Sequence, residues 1–376
     1  MLPIIRPDVT FDEVAADVRA ILDSGVLTSG PYVARFEAEL ARVTGAAHAM
    51  TTTSATTALH LSLAAAGVGP GDEVLVSDFT FPASGNVIVD LGATPVLVDS
   101  LPDGFALDVA GAAAMVSPRT RAIMPVDPFG QPADLAAVER LAARHGLVVV
   151  EDAACALGSA RDGRPCGSWP GLTCFSFHPR KVVTSGEGGA VLTSDPGLAE
   201  RLRLLRNHGG VRRDGVGLEF VDNGYNYRLS EIPAAMGLAQ LLRLNAILAD
   251  RNRTAVRYEE RLASVDGVEL RRPGDGEVWS YQSFVVMLVD DVDRDAVVAA
   301  LRAEGIETTL GTYAMHAQPS FARFGYRAGD LPNSWRAQRQ SLTLPLVPAM
   351  PEGEVDRVVD SLRGHVYAAV RTAPRG

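Results

Sequence analysis

CFSFHPRKVVTSGEGGAVLTS, residues 174–194, is the most informative stretch of this chain. An apolar run ends shortly before Lys181, and Gly186, Gly188 and Gly189 follow. A lysine just past a buried strand is poorly solvated, which favours its neutral, nucleophilic form. Such an amine is suited to bonding covalently to a carbonyl. Glycines let backbone turn sharply or lie close against a ligand. The same residues also fit a surface lysine on a glycine-rich hairpin, and this segment alone leaves both readings open.

Two further segments flank that reading. In LVVVEDAACALGS (147–159), two acids close an apolar strand, the favoured ligand position in an open parallel sheet. Asp152 there could hold a proton on a pyridine nitrogen, or simply cap a helix. In TTTSATTALHLSL (51–63), hydroxyl residues precede a helix. Free backbone N–H groups converge at such a start and suit a phosphate, although a capped helix without ligand reads the same way. Read together, a phosphate-suited helix start, a strand-end acid and a lysine after another strand are the groups a pyridoxal phosphate site requires.

Elsewhere, short apolar runs alternate with helical patterns, which predicts an α/β fold with a mostly parallel sheet covered by helices. Strands are expected at 73–79, 94–100, 121–127, 147–152, 172–178 and 190–194. Their continuous apolar, β-branched character suits burial on both faces. Helices are expected from about 11 to Gly25, from 56 to Gly67, over 133–146 and over 293–305, with a last one from about 352. A long amphipathic stretch over 230–262 reads as one connecting helix. It puts a boundary near 245, dividing the chain into a large domain (1–245, with an N-terminal arm) and a smaller C-terminal α/β domain (246–376) containing a strand at 283–289.

The chain has 376 residues, is 47% hydrophobic and carries a net charge of −10. That length supports a large core. The acidity argues against wrapping nucleic acid or an anionic membrane surface. The N-terminal residues lack the basic start and apolar run of a signal peptide, and no apolar stretch reaches the roughly 18 residues of a membrane span. Cys155, Cys166 and Cys174 are odd in number and lack CxxC spacing, so no metal site is expected of them and a reducing, cytoplasmic setting fits.

Across nearly its whole length the chain resembles the DegT/DnrJ/EryC1/StrS sugar aminotransferases. The resemblance runs through ILDSGVLTSGPYVARFEAEL (21–40), GVGPGDEVLVSDFTFPAS (67–84), LGATPVLVD (91–99), FGQPADL (129–135), EDAACALGS (151–159), the 174–194 segment and NYRLSEIPAAMGLAQL (226–241). It implies the aspartate-aminotransferase fold (fold type I of pyridoxal-phosphate enzymes). Lys181 would carry the cofactor and move a proton, and Asp152 would pair with the ring nitrogen. Phe81 would stack on the ring, and Ala55, Thr56 and Ser176 would hold the phosphate. Asn226 would reach the partner subunit's cofactor in a homodimer with shared sites. Tyr313 and His316 would border the sugar.

The implied reaction moves an amino group from L-glutamate to a keto sugar, most simply a nucleotide-linked 3- or 4-keto-deoxyhexose. A keto-cyclitol acceptor, with glutamine or glutamate as donor, is the alternative. Sugar 3-dehydrases of the resemblance carry His in place of the lysine, so Lys181 argues against them. A cofactor-binding scaffold without activity conflicts with an intact Lys181 and Asp152. A further alternative is a thiol-dependent lyase using Cys155, which full activity in Cys155→Ala would exclude.

Some positions depart from the pattern or lack a derived role. Cys155 stands where the family usually has Gln, His or Glu, and Asp127 where many members have His. Glu187 matches the family's GEGG with no role of its own, and His208, in RNHGG, fits either a place near the active site or a structural hydrogen bond. Arg251 and Arg253 fit a solvated helix face better than a nucleotide diphosphate.

Overall fold

A computed structural model describes residues 1–213, 215 and 217–372. Seven strands form the main sheet: β1 (His48–Thr52), β2 (Glu73–Ser77), β3 (Thr94–Val98), β4 (Thr120–Met124), β5 (Val148–Asp152), β6 (Leu172–Ser176) and β7 (Gly189–Thr193). Their spatial order is β1-β7-β6-β5-β4-β2-β3. The pairs β3–β2, β2–β4, β4–β5 and β5–β6 are parallel. Only β7 runs the other way, antiparallel to both β6 and β1.

Helices cover both faces, so the central strands are buried and largely apolar. In β2 the side chains of Val74, Leu75 and Val76 are all fully buried, each contributing about 1.5–3 kcal/mol by leaving water. Four helices of the sheet's half are α1 (Phe11–Ser24), α2 (Pro31–Thr44), α3 (Ala55–Ala65) and α4 (Ala83–Asp90). The expected glycine stop holds for α1, where Gly25 adopts φ 69°. At the start of α2, Gly30 offers no capping side chain. The carboxylate of Glu231, remote in sequence, accepts the N–H groups of Gly30, Tyr32 and Val33 at 2.9, 2.8 and 3.1 Å instead. The glutamate of the NYRLSEI segment is thus a helix cap in trans, fully buried.

The strand expectations hold to within a few residues, but two features differ. The expected strand over 73–79 ends at Ser77; Phe79–Thr80 then pairs with Tyr313–Ala314. Strand β1 has no counterpart among the expectations, because a short edge strand of His, Ala, Met and Thr has little apolar signal. The single connecting helix is also corrected. It is two helices, α5 (Glu231–Leu241) and α6 (Leu244–Leu262), bent by 61°. No Pro or Gly marks the break. Arg243 sits there, its guanidinium donating to the Asp8 carbonyl at 2.9 Å and paired with Glu13 at 3.0 Å.

A second, antiparallel sheet contains β8 (Val268–Leu270), β9 (Phe284–Leu288) and β10 (Ser341–Leu344) in that spatial order. Its core includes Tyr258, Phe284, Leu301, Val358 and Leu362, and is built with the last helix, α7 (Glu352–Thr372). The chain's first residues join this half. Leu2 donates to Gly305 at 2.7 Å, and Leu346 donates to Ile4 at 3.0 Å. Among the described residues no single helix is long and apolar enough to cross a membrane.

Candidate active site

The parallel strands end at one edge of the sheet, and a cleft of about 630 Å³ opens there. Its walls bring together Ala55, Thr56, Phe81, Asp152, Ser176 and Lys181, which come from four separate stretches of sequence. Strand β5 ends at Asp152, β6 ends at Ser176, and Lys181 follows five residues later. The register then sets Gly189, the first residue of β7, between Ser176 and Thr52. A Cβ on Gly189 would lie 2.4 Å from the Ser54 carbonyl and 2.6 Å from the Ala55 nitrogen. Glycine is needed here because the start of α3 rests directly on this backbone.

That helix start is arranged for an anion. The Ser54 hydroxyl accepts the Thr57 N–H at 3.1 Å and Thr57 caps it in return. The N–H groups of Ala55 and Thr56 come earlier in the first turn, where no intrahelical acceptor exists. Both residues line the cleft. A phosphate placed there meets these N–H groups and the positive end of the helix dipole.

Asp152 is buried at the cleft's floor. Its Oδ2 accepts the Ser84 hydroxyl at 2.7 Å and its Oδ1 accepts the Ala154 N–H at 3.2 Å. Burial pushes its carboxyl above the usual range, against the opposing pull of Ser84, the Ala154 N–H and the Lys181 charge. A cation beside it would restore the anion. Lys181 Nζ lies 2.9 Å from Cys155 Sγ. His178, Arg180, Glu187 and Gln282 also line the cleft, and Gln282 ties the loop down by donating to the Arg180 carbonyl at 2.6 Å. An anion cradle at one end, a buried carboxylate and a lysine amine in one cleft fit pyridoxal phosphate.

The profile of the DegT/DnrJ/EryC1/StrS aminotransferase family matches residues 10–363. The chain belongs to this family. Among solved structures it is similar to DesV of S. venezuelae, crystallised with a ketimine intermediate, at 36% identity over 97% of this chain and 98% of DesV, with a TM-score of 0.90. DesI, solved in the presence of its TDP-sugar product, is 33% identical over 99% of this chain and 95% of DesI, TM-score 0.90. CalS13, a sugar aminotransferase from Micromonospora echinospora, is 31% identical over 97% of this chain and all (100%) of its own, TM-score 0.89.

Not every expected site residue of this aminotransferase lies in the cleft. Phe81 does, 65% exposed; the ring of Tyr313, which does not itself line the cleft, lies 6.4 Å from the Phe81 ring. His316 is placed elsewhere than the expected sugar border. Its side chain is fully buried, with Nδ1 2.6 Å from Asp78 Oδ2 and its backbone N–H donating to Asp78 Oδ1 at 2.7 Å. It clamps the loop that carries Tyr313 onto the strand end. Asn226 is exposed, outside its own chain's cleft, and bridges to Asn207.

Two arginines differ in fate. Arg251 is buried, its guanidinium donating to the carbonyls of Tyr281 and Gln282 at 2.8 and 2.6 Å, and burial lowers its pKa to about 10. It lies on no solvated face. Arg253 does, paired with Asp250 at 2.6 Å. The sequence signals missed Ser84, the partner of Asp152. Its spacing just after the FTF segment was the available hint.

Proposed function

We propose that this aminotransferase, with pyridoxal phosphate as cofactor, moves an amino group from an amino acid to the carbonyl of a keto sugar. Joint placement of Lys181, Asp152 and the start of α3 in one cleft carries this reading. When bound, the cofactor supplies a ring that delocalises the electron pair released at the donor's α-carbon. Asp152, desolvated and oriented by Ser84, holds a proton on the ring nitrogen. Lys181 would hold the cofactor, and its amine would move the proton at the donor's α-carbon as general base and then acid. Ala55, Thr56 and Ser176 would anchor the phosphate, and Phe81 would stack on the ring.

L-glutamate is the proposed donor. The proposed acceptor is a nucleotide-linked 3- or 4-keto-deoxyhexose, since DesI, a similar chain, was solved with a TDP-sugar product. The active unit is a homodimer in the cytoplasm, with the exposed Asn226 reaching the partner's phosphate. The two domains divide near 245 in this reading, the first few residues packing with the second.

Purified enzyme should lose its visible cofactor band on adding L-glutamate, form 2-oxoglutarate, and recover the band with a keto sugar. Lys181→Ala should abolish turnover while leaving circular dichroism unchanged. A band that no amino donor alters, or full turnover in Lys181→Ala, defeats the proposal.

A further inference from the structure

At the wall of the cleft, where Asp127 lines it, Asp127, Glu151 and Cys166 bring two carboxylates and a thiol within 4.8 Å of one another, all buried. Each carboxylate has one oxygen engaged: Asp127 Oδ1 accepts the Ala133 N–H at 2.9 Å, and Glu151 Oε2 accepts the Thr173 hydroxyl at 2.6 Å. The other two, Asp127 Oδ2 and Glu151 Oε1, have no donor among the described residues. Beyond burial, each carboxyl's strongest neighbour is the other, and the remaining groups that act on them (Ala133, Thr173, Gly167 and Cys166) are neutral donors, none of them cationic. Two desolvated anions this close together are not a stable arrangement.

We propose that Asp127 and Glu151 share one proton, donated by Asp127 to Glu151, and that this pair is a positioning device for Asp152. Asp127 and Asp152 are joined through backbone: the Asp127 N–H donates to the Asp152 carbonyl at 3.0 Å, and the Asp152 N–H donates to the Pro125 carbonyl at 2.9 Å. Glu151 immediately precedes Asp152 on β5. A doubly ionised pair would force apart the two segments that aim Asp152. Burial, then repulsion from Glu151, pushes the Asp127 carboxyl well above the ordinary range, and burial raises Glu151 as well. The buried Cys166 thiol is likewise pushed up and stays protonated beside them.

The test compares Asp127→Asn with Asp127→Ala in the holoenzyme. Asparagine keeps the acceptor for Ala133 and presents an N–H to Glu151. Asp127→Asn should retain the wild-type melting temperature and kcat/KM within about threefold, whereas Asp127→Ala should lose at least about tenfold. The pH at which the bound cofactor's absorbance changes should move in Asp127→Ala and return in Asp127→Asn. Infrared spectra of the wild type at neutral pH should show a carboxylic-acid carbonyl stretch that Asp127→Asn lacks. That band and the melting temperature are read independently of the assigned reaction, so failure of the function and failure of the pair are distinguishable. If Asp127→Ala does not fold, Asp127→Asn and the infrared band decide. The proposal is overturned by an Asp127→Asn as impaired as Asp127→Ala, by no such band, by a cofactor titration unmoved in Asp127→Ala, or by a stoichiometric divalent cation whose chelation lowers the wild-type melting temperature.

Discussion

Replacing Gly189 by alanine tests the anion cradle without touching any group proposed to contact the cofactor. The new Cβ would lie 2.4 Å from the carbonyl carbon and oxygen of Ser54, where ordinary contact begins at 3.4 Å. The obstacle is backbone on both sides, so no rotamer relieves it. Either the start of α3 or the start of β7 moves by roughly 1 Å, and overpacking of this kind costs about 1–3 kcal/mol of stability. A donor shifted by that distance no longer makes a hydrogen bond. Losing one charge-assisted bond to a phosphate costs about 1.5–3 kcal/mol, or roughly ten- to a hundredfold in affinity. Calorimetric titration of the cofactor-free protein with pyridoxamine 5′-phosphate, which cannot bond covalently to Lys181, isolates this effect. An unchanged Kd together with an unchanged melting temperature would refute the placement of the phosphate at α3.

Asp152→Asn should lower kcat on the order of a thousandfold by removing the anion that keeps the ring nitrogen protonated. In the cofactor-free protein the same change has the opposite sign. Burial raises the folded pKa of Asp152 above its unfolded value, so its contribution to stability is complete below about pH 4 and is lost as pH rises through the folded value. Cofactor-free Asp152→Asn should therefore show a smaller loss of stability than wild type between acid and neutral pH; identical pH profiles count against it. Cys155→Ala should keep transamination within about threefold, because the thiol is a weak hydrogen-bonding partner for Lys181. A hundredfold loss would instead revive thiol-dependent chemistry. His316→Ala should destabilise the fold by about 3–5 kcal/mol in denaturant titrations, since it strands Asp78 in the core. Normal stability with a raised KM for the sugar would restore His316 to the substrate border.

Much of this protein was legible in one dimension. Strands buried on both faces read as continuous apolar runs, so β2 to β7 could be located without coordinates. Helices that stop at a left-handed glycine announce their ends, as α1 does at Gly25. Lys181, Asp152 and the hydroxyl-rich lead into α3 stood out because their chemistry depends on residue type and on position at an element's end, both local properties. Other features depend on which remote segments meet. The break between α5 and α6 carries no helix breaker and coincides with an arginine tethered to the N-terminal segment. The histidine of the GTYAMHAQP loop became a buried partner of Asp78 because its loop folds back onto the end of β2. Asp127 and Glu151 are 24 positions apart, and only adjacent parallel strands made them neighbours in need of a single proton. Burial and charge pairing are properties of the assembled molecule. Sequence spacing carries the periodicity of an element, but not the identity of what that element is pressed against.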